Sequence, residues 1–274
     1  MTNRNETSVL ILSFLTSILS IYCALLGLFN ENLYGSVIST GIFKIVFMPG
    51  TISQDIITVA SSVLMITLIA LYIKRKKIRT LISIIGLLSF YFYGYGTYVI
   101  SALYTSTYLV YMLIFTLSLL GLILGISGFT SDCIKNLYLP KWFRICNIVF
   151  LSIIVFIFMS KWTADIIPYT QNHTVPDFYA IFILDLCIVL PLFTVVVYML
   201  VKNMKFAYIL LGIVLLKTVT LILSVAIGSF IAPKYGSQEE ASMIFIYCSV
   251  AVISLVLFVF YCQRIEQRFN KTNE

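Results

Sequence analysis

Long apolar runs broken by short polar or charged stretches set the pattern of this 274-residue chain. A helix needs about 20 mostly apolar residues to cross the hydrocarbon core of a bilayer. By that measure the pattern predicts eight spans, at about 8–29, 55–73, 80–100, 107–128, 145–160, 178–201, 206–232 and 243–262. The fifth run is short and is extended at its ends by Phe143 and Trp162. No polar stretch between runs is long enough for a soluble domain. Residues 1–274 therefore read as a single integral membrane domain, an all-α polytopic transmembrane helix bundle.

The connections carry their own signals. The longest runs from Asn30 to Gln54, and its stretch 42–48, apolar except for Lys44, suits an interfacial position. Pro49-Gly50 marks a turn, and Thr51-x-x-Gln54 matches a capping box that would start span two with Asp55 in its first turn. Trp162, Asp165, Pro168, His173, Pro176 and Asp177 suggest a polar loop before span six. The first span resembles a signal peptide only superficially. Its apolar run is longer than a signal core of roughly 7–15 residues, and Ala24-Leu25-Leu26-Gly27 is a poor cleavage site, so it is expected to remain a span.

Composition agrees with the pattern. Hydrophobic residues make up 61% and charged residues 11%, with mean hydropathy +1.04; soluble domains hold about 45–50% apolar and about 25% charged residues. The net charge of +7 invites a nucleic-acid reading, which the placement of the charges removes. With eight spans and a cytoplasmic N-terminus, 14 basic residues fall on the inner side, against Lys44, Lys161 and Lys234 outside. The inner set is Arg4, Lys74, Arg75, Lys76, Lys77, Arg79, Lys135, Lys141, Arg144, Lys202, Lys205, Arg264, Arg268 and Lys271. The positive-inside bias then puts both termini in the cytoplasm and the chain in the cell membrane. Lys74, Arg75, Lys76, Lys77 and Arg79 also offer a contact for anionic lipid. No nucleic-acid partner is expected.

Metal and cofactor chemistry find no foothold. The six cysteines form no C-x-x-C, and none falls in an outer loop. His173 stands as a single histidine, and neither H-E-x-x-H nor G-x-S-x-G occurs. No cofactor and no metal site are expected, and an enzyme is the less favoured reading.

Within the spans, polar residues are the informative ones. Span three carries Tyr91, Tyr93, Tyr95 and Tyr98; Tyr95 and Tyr98 suit the outer interface, while the deeper Tyr91 and Tyr93 need partners. Gly121-x-x-x-Gly125 in span four presents small residues for close internal helix packing. Asp185 in span six and Lys217 in span seven are ionisable residues at membrane depth, each costing about 2.5–3.5 kcal/mol on an insertion scale. Spans six and seven are joined by the short Lys202–Lys205 link, so each is the nearest candidate partner of the other. Pro191, six residues after Asp185, breaks a backbone hydrogen bond and bends span six beside the carboxylate. Thr220, Ser224 and Gly228 continue one face of span seven outward from Lys217, as either a polar path or a packing seam. Gln54 and Asp55 suggest an outer vestibule that attracts cations.

Two longer-range features complete the reading. Asp55 with Lys74-x-x-Lys77 and Asp185 with Lys202-x-x-Lys205 recur at an offset of about 128 residues, a hint of a four-plus-four tandem repeat of the kind found in transporters. Pro49-Gly50-x-x-x-Gln54-Asp55, Leu184-Asp185-Leu186 with Pro191, and Lys217 in a Thr/Ser-bearing span resemble a pattern in a group of uncharacterised bacterial integral membrane proteins. That resemblance implies a bacterial protein of about this topology and no particular activity. The function these features suggest first is a transporter or permease with the Asp185–Lys217 pair at its centre. A non-catalytic membrane assembly or partner subunit stands as the alternative, and a membrane enzyme acting on a lipid substrate as a second.

Overall fold

The structure, a computed structural model, describes residues 3–41, 43–236 and 241–267. Arg268 and Lys271, assigned to the inner side, lie outside the described residues. Among the described residues eight helices are long and apolar enough to cross a membrane, so the chain is an all-α multi-pass membrane protein. In chain order the helices are α1 (Asn3–Phe29), α2 (Glu31–Ile38), α3 (Met48–Arg75), α4 (Ile78–Ile100), α5 (Tyr108–Ser127), α6 (Ser131–Lys135), α7 (Lys141–Gln171), α8 (Tyr179–Leu184), α9 (Leu190–Val201), α10 (Phe206–Ile231) and α11 (Ala241–Arg264). The sixth span runs through α8, a π-helical turn and α9.

Two expectations about helix ends are corrected. Span two starts at Met48, with Pro49 in its first turn, so Thr51 and Gln54 do not form a capping box and Asp55 lies in the second turn. Pro suits the first helical turn because its missing N–H would have no partner there. Thr51 instead donates its hydroxyl back to the Phe47 carbonyl at 3.0 Å. Trp162, Asp165 and Pro168 are not in a loop: α7 continues through all three to Gln171. Lys161 and Asp165, at i and i+4, form an ion pair at 2.7 Å along that extension. The long connection after span one also contains α2, whose Asn30 cap accepts from the Asn32 N–H and whose inward face is Leu33, Tyr34 and Val37.

Contacts divide the described residues into two compact units, one within 3–129 and 212–260, the other within 130–211 and 261–267. This division does not follow a four-plus-four arrangement. In the first unit α1 packs on α3 and α5, α3 on α4, and α4 on α5, which closes a ring of four helices. Its outer surface is apolar, with Ile11, Phe14 and Ile18 of α1 and Val63 and Leu64 of α3 turned outward. The inward faces are small or polar: Ser13, Thr16, Ser17 and Ser20 on α1, and Gln54, Asp55, Thr58 and Ser62 on α3. Lipid is as apolar as leucine, so such bundles cohere through close contact and hydrogen bonds rather than through an oily core. Gly121 and Gly125 of α5 illustrate the close contact. A Cβ on either would meet Leu88 or Ile85 of α4 at 2.8 Å, so this pair of glycines serves internal packing as expected.

In the second unit α7 packs on α9. Lys205 donates to the Leu137 carbonyl at 2.8 Å, and Asn203 accepts from both Arg144 and the Tyr208 hydroxyl. The Tyr261 hydroxyl donates to the Tyr208 carbonyl at 2.9 Å. Leu137–Tyr138 and Glu266–Gln267 form a two-residue antiparallel pair, the only strand pairing among the described residues.

Candidate functional site

The most concentrated polar chemistry lies inside the four-helix ring of the first unit. Asp55 projects from the second turn of α3 and is only 2% exposed. Its Oδ2 accepts from the Tyr34 hydroxyl of α2 at 2.6 Å. Gly27 of α1 leaves room for this meeting: a Cβ there would collide with Asp55 Oδ2 and the Tyr34 hydroxyl. Tyr98 of α4 lies beside the carboxylate and donates to the Thr51 carbonyl at 3.2 Å. Among the described residues no Lys or Arg pairs with Asp55. An ionised carboxylate held there would cost several kcal/mol unless its lone pairs were satisfied. The O–H donors around it meet part of that need. Burial also holds the Tyr34 hydroxyl well above its ordinary titration range, with the nearby tyrosines and Asp55 adding to the effect.

Below Asp55 the tyrosines of α4 carry the polar interior along the ring. Tyr95 donates to the Ser20 carbonyl of α1 at 3.3 Å, and Tyr91 shares a hydrogen bond of 2.8 Å with Ser62 of α3. Tyr111 of α5 sets its ring at a tilt against both Tyr95 and Tyr98, with centroids 5.7 and 5.3 Å away. This corrects the expectation that Tyr95 and Tyr98 belong to an interfacial belt: they are 2% and 7% exposed. The period-3.6 geometry puts residues 91, 95 and 98 on one helix face, and that face turns into the ring. Several polar atoms along the same interior have no protein partner: Ser13 Oγ, Thr16 Oγ1, Ser20 Oγ, Thr58 Oγ1 and Gln54 Nε2. Gln54, 8% exposed, lies against Gly94, where a Cβ would collide with its amide. Gln54 and Asp55 are thus closed in rather than lining an open mouth.

Lys217 of α10 also belongs to this unit. It is 6% exposed, and its Nζ sits over the Tyr93 ring, 4.3 Å from the centroid. The negative face of the phenol offsets part of the cost of holding a cation in a dry place. The face that runs on from Lys217 is buried. Thr220 returns its hydroxyl to the Leu216 and Lys217 carbonyls, at 3.0 and 3.1 Å. The Ser224 hydroxyl lies 3.4 Å from that of Ser53, and a Cβ on Gly228 would meet the Ser53 hydroxyl at 3.0 Å. At its far end, then, this stripe is a close seam with the first turns of α3.

Asp185 belongs to the second unit. Its Oδ2 accepts from the Trp162 indole N–H at 2.9 Å, so the extension of α7 supplies the partner. Asp185 opens the π-helical turn Asp185–Val189, and the Leu190 N–H reaches back to the Asp185 carbonyl. Pro191, half-buried, follows at once. A proline ring collides with the carbonyl four residues earlier, and widening the turn relieves that collision. Around Pro191 span six therefore departs from a regular α-helix as a widened turn.

Sequence reasoning flagged Asp185 and Lys217 as ionisable groups at membrane depth, and both are buried, but it placed Asp55 at an outer vestibule and missed what surrounds all three. Tyr34 sat in an apparent loop, and Trp162 in another. The one available signal was the spacing of Tyr91, Tyr95 and Tyr98 at i, i+4 and i+7. No protein-family model, curated protein or solved structure matches this chain.

Proposed function

We propose that this multi-pass membrane protein is a transporter that carries a small polar solute or ion. The polar interior of the four-helix ring carries the reading, with Asp55 buried at its heart. A helix bundle that only had to persist in lipid would gain little from a buried carboxylate, a glutamine amide and a row of hydroxyls. Ionisable residues at such depth are most often parts of substrate or ion pathways. Lys217 over Tyr93 and Asp185 beside Trp162 are further charges held at membrane depth by specific partners. In this reading both act in the transport cycle.

The natural setting is the cytoplasmic membrane of a bacterium, supported by the motif resemblance around Asp55, Asp185 and Lys217. Both termini are placed in the cytoplasm, supported by the basic residues at one end of the spans. Lys74, Arg75 and Lys77 project outward from the turn between α3 and α4, which supports an anionic-lipid contact there. Lys76 of the same run pairs with Glu6 and lies over the Tyr72 ring.

Uptake by proteoliposomes tests the reading, with a panel of labelled amino acids, sugars, nucleosides, small cations and small anions. The wild-type chain should concentrate or exchange at least one class over empty vesicles. Lys217→Met and Asp55→Asn should reduce that flux at least about tenfold, the change expected from about 1.4 kcal/mol of barrier, at equal reconstituted protein. Wild-type flux in both variants, or none for any solute in the parent, would sink the proposal.

A further inference from the structure

We propose that Asp55 is a reversible proton-binding site, loaded and unloaded along the buried hydroxyls of α1, α3 and α4. The inference rests on the transporter reading only for its use, where it names H⁺ as the coupling ion.

Four observations converge on it. Asp55 is closed off by Gly27 on one side and by Tyr34 on another, and among the described residues no basic group balances it. The titratable groups facing it are Cys23 from α1, Tyr34 from α2, Tyr95 and Tyr98 from α4 and Tyr111 from α5, all of them neutral acids at ordinary pH. Its nearest neighbours are O–H donors, the shell of a carboxylate that exchanges protons. A metal cation would instead be met by several carbonyl or carboxylate oxygens, and among the described residues no three His, Cys, Asp or Glu side chains come together. Finally, hydroxyls continue from the site. The hydroxyls of Tyr98, Tyr95 and Tyr91 span seven residues of α4, about 10 Å of helix. Tyr91 meets the Ser62 hydroxyl, while Tyr98 and Tyr95 donate to the Thr51 and Ser20 carbonyls, so a proton passes between them through water. Thr58 Oγ1, Ser20 Oγ and Thr16 Oγ1, each under 2% exposed and without a protein partner, lie along the same interior. Buried polar atoms of that kind hold ordered water, which passes protons between hydroxyls.

The step balances simply. Loading forms one O–H bond on Asp55, and each hydroxyl or water in the row releases one proton as it receives another. Unloading reverses this, and no electron is transferred. The carboxylate in its ionised form is the stronger acceptor for the Tyr34 hydroxyl. Loading therefore weakens the Tyr34 contact and with it the hold on α2, which ties proton occupancy to the position of that helix.

Infrared difference spectroscopy of the full chain in lipid bilayers, between about pH 5 and pH 9, reads this directly. The parent should show a carboxylic-acid carbonyl band that grows toward acid pH. Asp55→Asn should lose it, Asp185→Asn should keep it, and Asp55→Glu should restore it at a shifted frequency. Should Asp55→Asn fail to fold, Tyr34→Phe should still move the pH midpoint of the band. A difference spectrum unchanged by Asp55→Asn, a midpoint unmoved by Tyr34→Phe, or a band that follows Na⁺ or K⁺ at fixed pH would overturn the inference. Because the measurement needs no transported solute, its failure is separate from a failure of the uptake assay. Uptake without the band would remove the proton site alone.

Discussion

Single residues decide how this chain tolerates polar groups at membrane depth. Asp55, Lys217 and Asp185 each have a close aromatic partner in their own unit: Tyr34 for Asp55, Tyr93 for Lys217, Trp162 for Asp185. Tyrosine and tryptophan fit this task because the ring is apolar and the tip, or the ring face, is polar. Tyr34 makes a pH-dependent prediction. Its folded hydroxyl titrates above the ordinary tyrosine range, so its contribution to stability is constant below about pH 10, where both states keep the proton. Above that the unfolded chain ionises first, and the contribution falls as pH rises. Tyr34→Phe should therefore flatten the alkaline loss of stability by up to about 1.4 kcal/mol per pH unit, the slope of one titrating group. Thermal unfolding from neutral to alkaline pH checks this; parallel curves for parent and variant would remove it.

At the scale of elements, the sixth span shows why a proline motif needs its neighbours to be understood. Pro191 alone called for a bend. The structure resolves the clash by a wide turn that begins at Asp185 and keeps the carboxylate facing Trp162. Pro191→Ala should restore a regular helix, turn residue 185 by about 100° about the axis and break the indole contact. In a Trp142→Phe background, where Trp162 is the remaining tryptophan, its emission should shift. An unaltered spectrum would mean that the wide turn does not depend on the proline. The same lesson applies to α7, whose last turns were expected as loop. Turn-forming residues such as Asp165 and Pro168 weaken a helix, yet a long helix already launched carries them through its last turns at the loss of one backbone hydrogen bond at Pro168.

For the molecule as a whole, charge placement predicts sidedness. In a background without the six native cysteines, His173→Cys should react with a membrane-impermeant thiol reagent on intact cells. Lys202→Cys, at the other end of the same span, should react only after lysis. Labelling of position 202 on intact cells would invert the topology. Neither outcome depends on the transported solute.

The number of spans, the class of fold and the burial of Asp185 and Lys217 were legible in the sequence, because hydrophobic length and the cost of charge in lipid are local and one-dimensional quantities. Asp185 and Lys217 stood out against any apolar run, whatever their surroundings. The site was legible only in outline. Which face of α1 or α3 turns inward depends on helices far apart in the chain, since in lipid a serine face and a leucine face are told apart by what packs against them. The meeting of Gly27, Tyr34, Asp55 and Tyr98, drawn from four different helices, could come only from tertiary structure, because nothing in any one segment pointed to the other three. Packing decided it: a glycine left the room, and a tyrosine from an apparent loop filled it.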